Sequence, residues 1–204
     1  MESCSSRMPV AIDQRFISTV SDTSYDDQNG KSLVDSPFPV ANFDAMKTDY
    51  AIRRGISEPR SADALHVGTE NSVALIEFKS GVMSRRKSYE VLEKAYDSVV
   101  ILLDKTGWTM DQFRARTDFI LVYSFEKNLA EEKCEGKRDA LSNPPSYSKI
   151  SGALHSLAEE PAIRFGLAKL ENHCYRKVRT YSEAEFVSEF LENAHTALSG
   201  FRDS

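Results

Sequence analysis

Residues 62–81 read ADALHVGTENSVALIEFKSG, and the register in which this stretch folds back on itself decides the architecture. VALIEF (73–78) is an apolar run rich in strand formers. It predicts a central strand covered on both faces, and therefore a layered α/β sandwich. Leu65 and Val67 precede a polar turn, so the two segments are expected to pair as a hairpin. If Thr69-Glu70-Asn71 is a three-residue loop, Asn71 takes the left-handed position that this loop type needs. Gly68 then faces Ser72, Val67 faces Val73, and Asp63 falls opposite Glu77. A two-residue loop would set Asp63 opposite Phe78 and send the two acids to opposite faces.

Working outward, residues 41–54 predict a helix closed by Gly55, and residues 85–106 a long amphipathic helix stopped by Gly107. Leu92, Tyr96, Val99 and Leu103 mark the expected buried stripe of that long helix. Thr109 is placed to cap a short helix over 110–116, and DFILVYSF (118–125) predicts a second strand. A polar stretch with Pro144-Pro145 predicts a loop over 126–148, followed by helices near 147–158 and 161–172. CYRKVRTY (174–181) predicts a further strand, and Ser182 with Glu185 forms a capping box before a terminal helix over 183–198. The Ser- and Asp-rich residues 1–30 predict a poorly ordered tail, with Phe16 and Ile17 able to dock as a short arm. Residues 31–204 are expected to form a single domain.

Composition narrows the class. Hydrophobic residues make up 41% and charged residues 28%, as in ordinary soluble domains, and no run reaches the length of a membrane span. The opening MESCSSRMPVAIDQ has no continuous apolar stretch, so no secretory signal is expected. Cys4, Cys134 and Cys174 are odd in number and lack CxxC spacing, which predicts reduced thiols and a cytoplasmic setting. The net charge of −5 means that any grip on nucleic acid must come from a local basic patch.

The chemistry concentrates at the end of the 73–78 run. Glu77 and Lys79 alternate with Phe78, so both project from one face of the strand while Phe78 enters the core on the other. A charged pair there is costly to desolvate without a partner. Two adjacent carboxylates are relieved of repulsion by a shared Mg²⁺ or Mn²⁺, and a neighbouring lysine can orient a water or stabilise charge developing on a phosphate. Glu-x-Lys alone is common in a charged chain and also ends many strands as a polar rim. Its weight comes from its place on the most apolar strand, the upstream Asp63 at hairpin distance, and the long helix that follows at once.

The order helix, hairpin with Asp then Glu-x-Lys, helix, strand over residues 41–125 resembles the PD-(D/E)XK nuclease superfamily. The resemblance implies a restriction-endonuclease-like α/β core, a central mixed sheet of four or five strands flanked by helices on both faces. It implies Asp63 and Glu77 as metal ligands, the Phe78 carbonyl as a further ligand, and Lys79 as the catalytic lysine. It also implies a bacterial Mg²⁺- or Mn²⁺-dependent hydrolase acting on nucleic acid, DNA rather than RNA. Ser61-Ala62 stands where many members carry a proline before the first acid. The acid that some members supply from the first helix is not assigned; Asp44, Asp49 and Glu58 are the candidates.

Arg85, Arg86 and Lys87 are candidate phosphate contacts at the start of the long helix, and Arg53, Arg54 and Arg60 could extend that patch. A solvated charged face is the competing reading for each group, as it is for Arg176, Lys177 and Arg179. His66 is expected to be structural, and Trp108 and Tyr123 to be core residues. Two functional readings therefore stand: a metal-dependent nuclease, or a catalytically silent nuclease-like fold acting as a binding or regulatory module. No membrane partner is expected, and a second copy or a protein partner is a candidate to complete a basic cleft.

Overall fold

The computed structural model describes residues 10–129 and 163–194. The main sheet has six strands in the order β1 (Ile17–Thr19), β4 (Pro39–Asn42), β5 (Ala64–Val67), β6 (Val73–Lys79), β7 (Thr117–Tyr123), β8 (Lys177–Ser182). The first four pair antiparallel, and β6, β7 and β8 run parallel, so the sheet is mixed. A separate two-stranded hairpin joins β2 (Tyr25–Asp26) to β3 (Lys31–Ser32). The helices are α1 (Val20–Thr23), α2 (Phe43–Arg54), α3 (Arg85–Thr106) and α4 (Met110–Arg116). A C-terminal helix, α5, starts at Glu183–Glu185 behind the Ser182 capping box and widens into a π-helix over Phe186–Leu191. The α/β class with helices on both sheet faces is as expected, with more strands.

β6 is central, and every residue from Val73 to Phe78 is buried. Its alternation divides the core in two. Val73 and Leu75 pack under α3 with Val91, Ala95 and Leu102, whereas Ala74, Ile76 and Phe78 face Val20, Phe38, Phe186 and Leu191. The buried stripe of α3 is rotated from the expected one. Tyr96 is exposed and Leu103 only partly buried, whereas Ala95 and Ser98 are fully buried on the inward side of the helix.

The hairpin adopts the expected register: Val67 pairs with Val73, Leu65 with Leu75, and Ala64 with Ile76. Gly68 donates to the Ser72 carbonyl at 2.8 Å, and Asn71 is left-handed with φ of 60°. Gly55 and Gly107 close α2 and α3 with φ of 64° and 66°, which an L side chain adopts only with strain.

Several expectations are corrected. Residues 10–30, expected to belong to a poorly ordered tail, contribute an edge strand, a helical turn and a hairpin strand, with Phe16 and Val20 buried. Few apolar residues suffice there because Asp13 caps a 3₁₀ turn and Ser24 bonds into the Val34 backbone. The expected helix over 161–172 is in its described part a short 3₁₀ turn, Leu167–Leu170, since Phe165, Gly166 and Asn172 are all left-handed. Residues 125–129, expected as strand end and loop, are helical. The rest of the 126–148 loop, the 147–158 helix, the 195–198 helix end, Cys4, Cys134, His155 and His195 lie outside the described residues. Cys174 is a buried free thiol, and no helix among the described residues is long and apolar enough to cross a membrane.

The loop register is testable at Asn71. Asn71→Gly is expected to leave stability unchanged within about 0.5 kcal/mol, whereas Asn71→Val should cost roughly 1–2 kcal/mol by forcing a β-branched residue into the left-handed region. Denaturant titration of the two variants reads the difference, and equal costs would contradict the assigned loop.

Candidate active site

Asp63 precedes β5 and is fixed by its backbone. Its N–H donates to the Ile76 carbonyl at 3.0 Å, and its carbonyl accepts from Phe43 at 3.0 Å, tying the hairpin to the start of α2. Its side chain takes over a ladder position, Oδ2 accepting the Phe78 N–H at 2.8 Å. Ile76 and Phe78 share one strand edge, so the Phe78 carbonyl also points to the Asp63 side.

Glu77 lies on β6 between Ile76 and Phe78, its side chain within reach of Lys94 on α3, and is fully buried. Its Oε1 lies 2.6 Å from Lys79 Nζ and 2.8 Å from Lys94 Nζ, and its Oε2 accepts from Lys94 at 3.0 Å. Lys94 also donates to Asp63 Oδ1 at 2.9 Å. One ammonium therefore bridges both carboxylates, which places Asp63 and Glu77 on one face around a single cation position. The expected trio is brought together, and Lys94 is the member that the sequence reading missed.

Lys94 is held by the helix rather than by chance. Ser98 donates its hydroxyl to the Lys94 carbonyl at 2.7 Å and accepts the Ala62 N–H at 2.9 Å, clamping α3 against the residue before Asp63. The legible signal was a lysine three residues after Val91 and four before Ser98, on the inward side of an otherwise apolar helix face.

The electrostatics follow from burial. Desolvation, with the Asp63 charge adding to it, pushes the Glu77 carboxyl up to about 7 against the opposing pull of the two ammoniums. Burial disfavours charge on Lys94 too, but the Glu77 and Asp63 carboxylates outweigh it and hold its ammonium above the ordinary lysine value. Both shifts arise from the same cluster: Glu77 is hard to ionise and Lys94 stays charged.

A cleft of about 410 Å³ opens beside this cluster. It is lined by Asp63, Lys79, Lys87 and Glu90 together with Asp26 and Asp27 from the β2–β3 hairpin. The Ser80 hydroxyl hydrogen-bonds Asp26, anchoring the hairpin at the rim and holding the Asp26 carboxyl down at about 2, with Asn29 contributing. Gly81 allows the Lys87 ammonium to lie across its backbone, where a Cβ would sit 2.5 Å from Nζ.

The other candidates disperse. Asp44 pairs with Lys47 at 2.8 Å and accepts from Ser61, Asp49 pairs with Arg15 and Arg53, and Glu58 pairs with Lys47 at 3.4 Å. No contact ties any of them to the cluster. Of the α3 basic residues only Lys87 lines the cleft; Arg86 pairs with Glu90 at 3.1 Å, and Arg85 lies over the Tyr89 ring. Arg53, Arg54 and Arg60 pair with Asp49, Asp104 and Glu93, as on a solvated charged face. Arg176 pairs with Asp118. His66 packs between Phe38 and Phe190, and burial holds its pKa down, as expected of a structural histidine; Trp108 and Tyr123 are buried.

Among the described residues no group of three or more His, Cys, Asp or Glu side chains forms a ready metal cage. The two carboxylates nevertheless suit a hard cation. Glu77 Oε1 is buried beside two ammoniums yet accepts no well-aligned hydrogen bond, and a metal ion makes no demand on donor direction. Comparison with protein-family models, with curated proteins and with solved structures finds no match to this chain.

Because the folded state raises the Glu77 pKa, folding favours its protonated form. The stability of the protein relative to Glu77→Gln is thus fullest below about pH 4.5 and declines as pH rises towards 7. Thermal melts of both proteins across that window test this, and a difference that grows with pH would refute the desolvation account.

Proposed function

We propose that this chain is a metal-dependent phosphodiesterase acting on nucleic acid, DNA rather than RNA, built on a restriction-endonuclease-like core of the PD-(D/E)XK kind. The observation that carries the reading is the convergence of Asp63, Glu77 and Lys79 at the end of the buried strand β6. The order α2, β5–β6 hairpin, α3, parallel β7 supports it, as it follows the order that the resemblance implies.

In this reading Asp63, Glu77 and the Phe78 carbonyl hold Mg²⁺ or Mn²⁺. Mg²⁺ or Mn²⁺ held there would supply polarisation of a phosphate oxygen and a lowered pKa for an attacking water. Asp63 is oriented for its part by the Phe78 N–H, and Glu77 by the strand that buries it. Lys79, its side chain partly exposed beside Glu77, faces the cleft and stabilises negative charge building on the phosphate. Lys87 supplies a further positive charge within the same cleft. Glu77 must shed its proton to bind a cation, and burial makes that late.

One observation favours the silent-module alternative. Lys94 and Lys79 already neutralise both acids, which is what a purely structural network would do. The two readings part in a cleavage panel of single- and double-stranded DNA and RNA with Mg²⁺ or Mn²⁺. We expect cutting of DNA, a loss of roughly 100-fold or more in Lys79→Ala and Asp63→Ala, and an unchanged fold in Lys79→Ala. Absence of cleavage on every substrate with either metal would hand the protein to the alternative.

The pH profile is a separate check. Cleavage should rise with pH and level off above about 7 as Glu77 ionises. A rate falling across that range would contradict a ligand role for Glu77.

A further inference from the structure

Among the described residues one side chain, that of Lys94, touches both acids. Lys79 reaches Glu77, but Lys94 Nζ contacts Glu77 Oε1 at 2.8 Å and Asp63 Oδ1 at 2.9 Å, the position a shared metal ion would need. With both acids ionised the cluster is balanced, two carboxylates against two ammoniums. A dication added without any departure would leave strong repulsion between closely spaced positive charges.

The geometry points to Lys94 as a displaceable counter-cation, which holds the Asp63–Glu77 pair until a divalent metal takes its place and then withdraws one helical turn to Glu90. This inference rests on the metal-dependent reading above. The backbone can stay still during the exchange, because the Lys94 carbonyl is tied through Ser98 to Ala62. The side chain is a point charge on a flexible stem, suited to leaving. Helical side chains lean towards the N-terminus, so an extended Lys94 passes over residue 90. Glu90 lines the same cleft, four residues earlier, in the orientation that favours a Glu–Lys pair. Its present partner is Arg86, whose side chain is 90% exposed and readily released to water.

Lys94 would thereby keep the two acids correctly spaced without metal and raise the metal concentration needed to fill the site. Mn²⁺ titration by calorimetry, without nucleic acid, tests this on wild type, Lys94→Met, Glu90→Gln and the double variant. Lys94→Met is expected to bind Mn²⁺ at least tenfold more tightly than wild type. Glu90→Gln should bind a few-fold more weakly, and should have no effect once Lys94 is Met. Lys94→Met should also melt several degrees lower without metal and recover when Mn²⁺ is added. Should Lys94→Met fail to fold, Lys94→Gln removes the charge while keeping a polar stem, and the same comparison applies. Equal Mn²⁺ affinity in wild type and the Lys94 variant would overturn the counter-cation role and leave the metal site standing. Failure of both to bind Mn²⁺ would overturn the metal-dependent reading itself, and the counter-cation role with it.

Discussion

A carboxylate with no exposed surface governs this structure. Glu77 lies in a strand whose other buried residues, Val73 to Ile76 and Phe78, are all apolar, and its desolvation must be offset by nearby positive charge. Lys79 supplies one ammonium from the same strand face, and Lys94 supplies the other from the helix packed above. Taking away either would leave a buried charge short of a partner, so strand, helix and hairpin are constrained together.

That constraint reaches outward through backbone contacts. The three-residue turn with left-handed Asn71 fixes a register that runs to Ala64 opposite Ile76, and the Asp63 N–H, bonded to the Ile76 carbonyl, brings its side chain to the Glu77 end of the strand. The Phe78 N–H turns the Asp63 carboxylate inward, and the Ser98 hydroxyl clamps α3 so that Lys94 falls between the two acids. Ala95 and Ser98, both fully buried, flank the inward face of α3 beside Lys94.

Much of this was legible in the sequence, for local reasons. The hairpin register followed from turn chemistry and alternation, and Gly55, Gly107, Thr109 and Ser182 marked helix ends through backbone rules that act over a few residues. Lys94 was not legible as a site residue, because in a charged chain a lysine on a helix reads as solvated until the helix is docked. Its position between Val91 and Ser98 on the inward face was the available hint. The placement of Asp26 and Asp27 at the cleft was equally hidden, since it depends on a polar N-terminal segment folding back across the domain through Asp26–Ser80 and Ser24–Val34 contacts. Asp44, Asp49 and Glu58 are taken up by basic neighbours: Lys47 and Arg53 pair with Asp44 and Asp49 at one-turn helical spacing, a legible signal, whereas the Glu58–Lys47 contact depends on how the chain leaves α2.

A metal-dependent site requires one cation position between Asp63 and Glu77 that can change occupant. A crystal structure with Mn²⁺, read by anomalous scattering, tests that most directly. One anomalous peak is expected in contact with the Asp63 and Glu77 carboxylates, with the Lys94 ammonium withdrawn from both. Lys94 still bridging the two acids at saturating Mn²⁺, with no peak between them, would contradict it.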